Sequence, residues 1–585
     1  MDDIDDFDGD EDAALRYAIA LSLQEADDGS SKKPIDLSSD EDQDNLDQLP
    51  KPSTSNDAKN IPMRKAPKDT SSKDTPAIPQ QLTSPASNGF AALGLDRKKM
   101  EEERLARLEK RKAPESEPDV QSRRQRPKLD TESPANSATN ATPRPLPYPK
   151  GVVKKTWASG YSRGNDIKIE EVLQKDELEL AVISSFQWDE RWMFSKINSA
   201  RTKIVLVAFA SNEKQQEEMK ANVPAGAAVK FCFPPMLPTG NMHSKLQLLK
   251  YPRYLRIVVP SGNFVPYDWG ETGVIENMVF LIDLPRIDDV NLQSSSELGP
   301  FGDELCYFLK AQGLQESLIS SLSNYDFSEA NRYRFVHTIA ASHVGDKWQR
   351  TGYCGLGRAI SSLGLDTTDE IEVDFVTGSL GSLKMDLISA IYYAAQGDDG
   401  MKEYEMRNPK GGKNKKPVQA KSNLNDRFRF YFPSLDTVVR SRGGKNAAGT
   451  ICVSSKWWDS TTFPRELVRD CKSVRSGLLI HSKLMVVRHH HSDKLKAAYA
   501  YVGSANLSES AWGRLVKERG TGNPKLTCRN WECGVIVPIP QNSSEDGSQL
   551  SDLSDFSSTI PVPMEVPGEA YGATKSKRPW FFLED

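Results

Sequence analysis

"HSKLQLLKY" spans residues 243–251, and "HSKLMVVRH" spans residues 481–489. The same tetrapeptide returns after 238 residues, in a chain of 585 residues with only seven histidines. In an extended strand, residues i and i+2 project to one side. His243 and Lys245 therefore share a face, as do His481 and Lys483, while Ser244 and Ser482 face away. Each copy is followed by a second strand-like run that ends in a small-residue turn with an asparagine. "VVPSGN" ends at Asn263, and "YVGSAN" ends at Asn506. These asparagines lie 20 and 25 residues after their histidines, a separation that suits two neighbouring strands and a connection.

Each half then offers an imidazole, an ammonium and an amide. An imidazole serves as nucleophile or base, and lysine and asparagine donate to non-bridging phosphate oxygens. One HxK pattern carries no information. Two copies with the same downstream pattern read as half-sites, which together make a phosphoryl-transfer site that needs no metal and no cofactor.

Charge is unevenly placed. Residues 1–50 hold 17 Asp and Glu against 3 Lys and Arg, a net of −14, while the whole chain is −5. The remaining 535 residues therefore carry +9, a balance that suits a polyanion-binding body behind an acidic tail. Seven cysteines without a CxxC pair read as reduced, mostly buried thiols. No apolar run reaches the roughly 18 residues of a membrane span, so no membrane partner is expected.

Residues 1–150 are rich in Ser, Pro, Asp and Lys and poor in aromatics, the composition of a long disordered regulatory tail. In "EDAALRYAIALSLQEADD" (11–28), Leu15, Ala18, Ile19 and Ser22 fall on one helical face behind acidic residues. This resembles a ubiquitin-interacting motif. "PIDLSSDED" (34–42) resembles a SUMO-interacting motif, a short strand that adds to a sheet edge. The basic clusters "KRK" (110–112) and "RRQRPK" (123–128) resemble a bipartite nuclear localisation signal, which implies the nucleus.

From about 151 the texture is α/β, with buried strands alternating with helices. "TKIVLVAFA" (202–210) and "RIVVPSGN" (256–263) read as strands. "DELELAVISSFQWDERWMFSKI" reads as a helix broken before Trp188, then another. The second half repeats the pattern in 370–383, 476–487 and 497–508. "HHH" (489–491) reads as a hairpin loop. Two catalytic halves follow, 151–350 and 351–585.

The paired HxK and downstream asparagine resemble the phospholipase D superfamily. That superfamily carries an Asp five residues after each lysine, where this chain has Lys250 and Arg488. Losing both Asp residues is the pattern of the tyrosyl-DNA phosphodiesterase family. "PSGNFVPYDW" (260–269) resembles its first Asn motif, with Asp268 and Trp269, and "GSANLSESAWG" (503–513) its second. "SLGSL" (379–383) resembles its DNA-phosphate loop, and "KRPWFF" (577–582) its terminal strand. The resemblance covers about 155–585. An aromatic that animal members place before the first HxK is absent in "LPTGNMHSK".

The resemblance implies two similar phospholipase D-like α/β domains, each a mixed sheet flanked by helices, related by a pseudo-two-fold axis. It implies His243 as nucleophile on the 3′ phosphorus and His481 as general acid and then base. Lys245, Lys483, Asn263 and Asn506 would stabilise the transition state. An orienting acceptor is expected behind each histidine: Glu532 after the second Asn motif and Glu276 after the first, with Glu271 the competing candidate. Ser379, Gly381 and Ser382 are expected to hold a DNA phosphate through hydroxyl and backbone N–H groups. The implied partners are single-stranded or duplex DNA 3′ ends carrying a tyrosyl peptide, with ubiquitin and SUMO at the tail of a monomer. Two rival readings are another superfamily nuclease or phospholipase, and a catalytically weak DNA-end-binding scaffold.

Overall fold

The structure, a computed structural model, describes residues 145–582 apart from Ala225 and the segments 288–296, 410–420, 492–493, 541–552, 554–555, 557–558 and 572–576. The ubiquitin-interacting-like, SUMO-interacting-like and basic stretches of the tail lie outside the described residues.

The first sheet is built from β1 (Val152–Thr156), β2 (Asp166–Ile167), β3 (Leu180–Ser184), β4 (Lys203–Val207), β5 (Val229–Cys232), β6 (Gln247–Lys250) and β7 (Tyr254–Pro260). A two-residue strand, β8 (Ile275–Glu276), then precedes β9 (Met278–Pro285), which completes that sheet. The second half holds β10 (Arg334–Thr338), β11 (Ala341–His343), β12 (Ile371–Val376), β13 (Phe428–Phe432) and β14 (Val468–Asp470). It continues with β15 (Leu479–Ile480), β16 (Lys483–His491), β17 (Lys494–Gly503), β18 (Arg514–Lys517), β19 (Pro524–Cys528) and β20 (Glu532–Pro538).

The strand orders are β2-β1-β9-β7-β6-β3-β4-β5 and β10-β20-β17-β16-β12-β13-β14. Setting β2 aside, the seven strands correspond one to one, and every pairing has the same sense. The β3–β4–β5 and β12–β13–β14 runs are parallel, and the rest are antiparallel. The chain is thus a duplicated mixed sheet. Its second copy takes its edge strand from Arg334–Thr338, ahead of the boundary expected at 351.

Alternation of side chains builds the layers. On β7, Ile257 and Val259 enter the core shared by the two sheets, while Val258 faces the outer core. On β16, Leu484 and Val486 enter the shared core, while Met485 and Val487 pack outward beneath helices Gly352–Ser362 and Met385–Ala395. Both faces are covered, so these strands read as continuous apolar runs. Each such aliphatic side chain contributes about 1.5–3 kcal/mol on burial.

Two expectations fail here. Leu180–Ser184 is a central strand, and the only helix in the stretch around it is Glu190–Lys196. A short apolar run such as "LAVIS" does not distinguish a buried strand from a helix, and its position between β4 and β6 settles the matter. His489–His491 continue β16 and do not form a loop. All seven cysteines are free thiols, five of them buried. No helix among the described residues is long and apolar enough to cross a membrane.

Candidate active site

Each histidine is delivered by a strand end that hydrogen-bonds to the opposite half. Met242 bridges Trp531, and His243 N donates to Trp531 O at 3.1 Å. In the same way β15 pairs with β8, and His481 N donates to Glu276 O at 3.0 Å. Glu276 is therefore the structural counterpart of Trp531, and the next residue, Asn277, is the counterpart of Glu532.

The hydroxyls behind the site repeat the relation. Ser261 Oγ donates to Asn277 Oδ1 at 3.0 Å, and Ser504 Oγ donates to Glu532 Oε2 at 2.5 Å. Met278 N donates to Ser261 Oγ at 2.9 Å, and Cys533 N to Ser504 Oγ at 3.0 Å.

The first histidine pairs directly: His243 Nδ1 lies 2.8 Å from Glu532 Oε2. Burial pushes the Glu532 carboxyl up to about 7, against the pull of Lys245, Ser504 and Asn530. Burial, then Lys245 and Lys483, holds His243 well below its ordinary value. The second histidine pairs through a loop carboxylate: His481 Nδ1 lies 3.1 Å from Asp268 Oδ1. Asn277 Nδ2 donates to the same oxygen at 2.9 Å, and Asn263 N donates to Asp268 Oδ2 at 2.6 Å. Burial opposes the Asp268 charge, but His481, Lys483 and the Asn263 N–H outweigh it and hold the carboxyl at about 2. Burial and Lys483 lower His481 to about 4, with Asp268 pulling the other way.

Glu276 is not an orienting residue. Its backbone carbonyl serves His481, while its buried carboxylate takes Arg475 and Ser473. The physical reason is a one-residue register: neighbours at a strand entrance face opposite ways, so the side facing the site belongs to Asn277, which donates to Asp268. Glu271 is elsewhere too, accepting from Trp192 Nε1 at 2.8 Å and pairing with Lys196.

The lysines fold back on their own histidines. Lys245 Nζ donates to His243 O at 2.7 Å and Lys483 Nζ to His481 O at 2.6 Å. Burial lowers Lys245 to about 8, and burial with Lys245 lowers Lys483 further below its ordinary value. Each histidine is shifted by the lysine of the other half as well as its own, so the two triads share one space. That space is nearly closed, with His243 only 5% and His481 only 4% exposed.

Asn506 Oδ1 accepts from the N–H groups of Gly378 and Ser379 at 3.1–3.2 Å. Two backbone donors fix its oxygen, which leaves the NH₂ to serve an anion. Asn263 Nδ2 reaches Gln187 Oε1 at 3.4 Å, while its Oδ1 is buried without a partner.

The expected phosphate loop has its backbone donors committed. The Ser379 N–H serves Asn506, and the Gly381 N–H donates to Leu507 O at 3.3 Å. The loop positions the Asn506 amide, and the Ser379 and Ser382 side chains are both half-buried. Sequence reading missed Gly378, whose missing side chain gives His481 its room: a Cβ there would lie 2.5 Å from His481 Cδ2. At the matching position beside His243 stands Phe186, with ring centroids 5.4 Å apart.

The residues replacing the superfamily Asp are paired away from the site. Arg488 binds Asp374 and Glu372, and Lys250 binds Glu179. Arg427 and Arg429 pair with Glu370, Glu372 and Asp374, and Trp458 is buried in the core. Among the described residues no cluster of His, Cys, Asp and Glu could hold a metal ion.

Comparison with known proteins agrees with this geometry. The tyrosyl-DNA phosphodiesterase family model matches residues 152–572, and the ubiquitin interaction motif matches residues 10–26. Tyrosyl-DNA phosphodiesterase 1 of Arabidopsis thaliana is 23% identical over 426 residues, 70% of this chain and 65% of the plant protein. A probable tyrosyl-DNA phosphodiesterase of Caenorhabditis elegans is 23% identical over 352 residues, 58% of this chain and 67% of the worm protein. The chain thus spans just under two thirds of the plant relative's length. A crystal structure of a yeast tyrosyl-DNA phosphodiesterase mutant superposes with a TM-score of 0.52 at 17% identity, covering 74% of this chain and 100% of that one. The fold is therefore shared, and the match over 152–572 shows that the chain belongs to the tyrosyl-DNA phosphodiesterase family.

Proposed function

We propose that this chain hydrolyses the 3′-phosphotyrosyl bond between DNA and a topoisomerase I tyrosine, and related 3′ adducts, through a covalent phosphohistidine. The observation that carries this reading is the crossed pairing of the two imidazoles, each gripped at Nδ1 by an acid of the other half. Fixing Nδ1 leaves Nε2 of each ring as its reacting atom.

In the first step His243 Nε2 attacks phosphorus, and the phosphorus–tyrosyl oxygen bond breaks. His481 gives a proton to the departing phenolate. In the second step His481 takes a proton from water, the hydroxide displaces His243, and DNA leaves with a 3′ phosphate. Covalent catalysis splits one displacement into two, with His481 exchanging acid and base roles. Lys245, Lys483, Asn263 and Asn506 meet the charge on the equatorial oxygens, each worth about 3 kcal/mol in the transition state. These four donors do in this chain what a metal does elsewhere, and no step is routed through one.

The substrate is a single-stranded or duplex 3′ end, met by a nuclear monomer. The tail residues Leu15, Ala18, Ile19 and Ser22 would hold ubiquitin, and 34–42 would hold SUMO, bringing the protein to modified adducts. A 3′-phosphotyrosyl oligonucleotide incubated with the protein and EDTA should release tyrosine, while phosphatidylcholine should be untouched. Lipid turnover would install the phospholipase reading. DNA binding without turnover of either would install the scaffold reading.

A further inference from the structure

The loop after β3, Ser185–Trp188, and the loop after β12, Thr377–Leu380, hold the same position in the two sheets. They are built alike. Ser185 Oγ donates to Gln187 O and Thr377 Oγ1 to Ser379 O, each at 2.7 Å. Phe264 N donates to Ser185 Oγ at 2.9 Å and Leu507 N to Thr377 Oγ1 at 3.1 Å, both from the residue after a catalytic asparagine. Gln187 is thus the counterpart of Ser379. A phosphodiester held between the halves has two ester arms, and the two loops flank them from opposite sides.

The approaches differ in charge. The first loop runs into helix Glu190–Lys196, whose N-terminus is closed by the Asp189 carboxylate accepting from Trp192 N at 2.9 Å. Glu190 stands next to it, half-buried. The second loop runs into helix Met385–Ala395, which starts from Lys384 and has no side-chain cap. Its one first-turn acid, Asp386, lies 3.9 Å from Arg514. Arg191, exposed beside these acids, brings the first approach near neutral, so a polyanionic strand is favoured at the second. The first approach is left for the arm that is not nucleic acid.

Gln187 presents a fixed donor on that side. Its Oε1 accepts from Tyr267 Oη at 2.6 Å and from Asn263 Nδ2 at 3.4 Å. The shorter distance is an O–H···O spacing, so the carbonyl end faces Tyr267 and the NH₂ end is presented away from it. Gln187 and Tyr267 are both half-buried, beside Asn263.

Resting on the function proposed above, we infer that Gln187, set by Tyr267, recognises the non-nucleotide arm of the adduct. It donates from Nε2 to a backbone carbonyl of the tyrosyl peptide. An amide suits a neutral peptide, just as the lysine-led loop opposite suits phosphate.

The test uses the full chain and two diesters on one oligonucleotide, a 3′-phosphotyrosyl tetrapeptide and a 3′-p-nitrophenyl phosphate with no carbonyl in its arm. Wild-type turnover of both checks the parent reading, and the ratio between them checks Gln187. In Gln187→Ala and Tyr267→Phe, kcat/KM for the peptide relative to the nitrophenyl diester should fall about fivefold to tenfold, through KM. The fall should be the same for short and long oligonucleotides. Proportional loss on both diesters would reduce Gln187 to a prop for Asn263 and overturn the assignment. A loss that grows with oligonucleotide length would overturn it as well, by placing DNA on this side.

Discussion

The two half-sites carry the same three residues and hold them differently. His243 leans on Glu532 alone, a carboxyl that burial raises to about 7. His481 leans on Asp268, which His481 itself, Lys483 and the Asn263 N–H keep ionised at about 2. Phe186 packs beside His243, while Gly378 leaves room for the His481 ring. A nucleophile needs a neutral ring whose proton sits on Nδ1, and Glu532 as a carboxylate accepts that proton and leaves the Nε2 lone pair free. A proton carrier needs a permanent counter-charge for its imidazolium, and Asp268 supplies one. Duplication supplied symmetry, and the supporting residues broke it along the lines of the chemistry.

The harshest way to break this comparison is to remove each imidazole in turn. His243→Ala should abolish adduct formation. His481→Ala should slow turnover by about a hundred to ten thousandfold and leave DNA covalently attached at His243, visible on a denaturing gel. Adduct trapped by His243→Ala instead would reverse the two roles.

Next come the orienting acids. Asp268→Asn and Glu532→Gln should each cost about a hundredfold in kcat, because a misaimed ring loses its attack geometry. The losses should fall on different steps. Glu532→Gln should suppress the burst of tyrosine release, whereas Asp268→Asn should preserve part of that burst and accumulate adduct. Equal effects on both steps would show the halves to be interchangeable.

A smaller loss is expected from Gly378→Ala. Its Cβ would sit 2.5 Å from the His481 ring, forcing a shift that costs roughly tenfold to a hundredfold in kcat. Phe186→Ala at the matching position should cost less than Gly378→Ala.

The pH dependence sharpens the comparison at the gentlest level. Lys245, lowered to about 8 by burial, loses its charge as pH rises through that value. Losing it removes a donor to the transition state. Lys483, lowered further still by burial and Lys245, loses its charge at lower pH, so kcat/KM should already be falling as pH reaches about 8 and should fall more steeply above it. Stability should follow Asp268: its depressed carboxyl stabilises the fold above the ordinary carboxylate range, and that contribution is lost as pH falls toward about 2. Glu532 acts in the opposite sense, its raised carboxyl costing stability as pH climbs from about 4 toward about 7.

Much of this was written in the chain. His243, Lys245, Asn263, His481, Lys483 and Asn506 were legible because strand periodicity and a repeated turn are local patterns. Glu532 came from the family resemblance, which expects an acceptor after the second Asn motif, and "NWECGVIVP" offers one acid there. Asn277 was not, because the matching position in "VIENMVF" has an acid one residue early, and a single slip at a strand entrance reverses the face. The crossing of partners was illegible for a different reason. Which acid serves which histidine depends on two sheets meeting face to face, and no window of sequence contains that meeting. Asp268 stood in plain view within "PYDW", but its role depends on Asn277 and on a histidine 213 residues away.

The crossed pairing also sets a timetable. His243 leaves the ribosome 289 residues before the glutamate that aims it, and His481 waits on a sheet already complete. A nascent first half therefore carries an imidazole and an ammonium with no reactive alignment. The crossed alignment arrives only when the last strand of the second sheet closes, so a truncated or misassembled copy holds an imidazole that nothing aims.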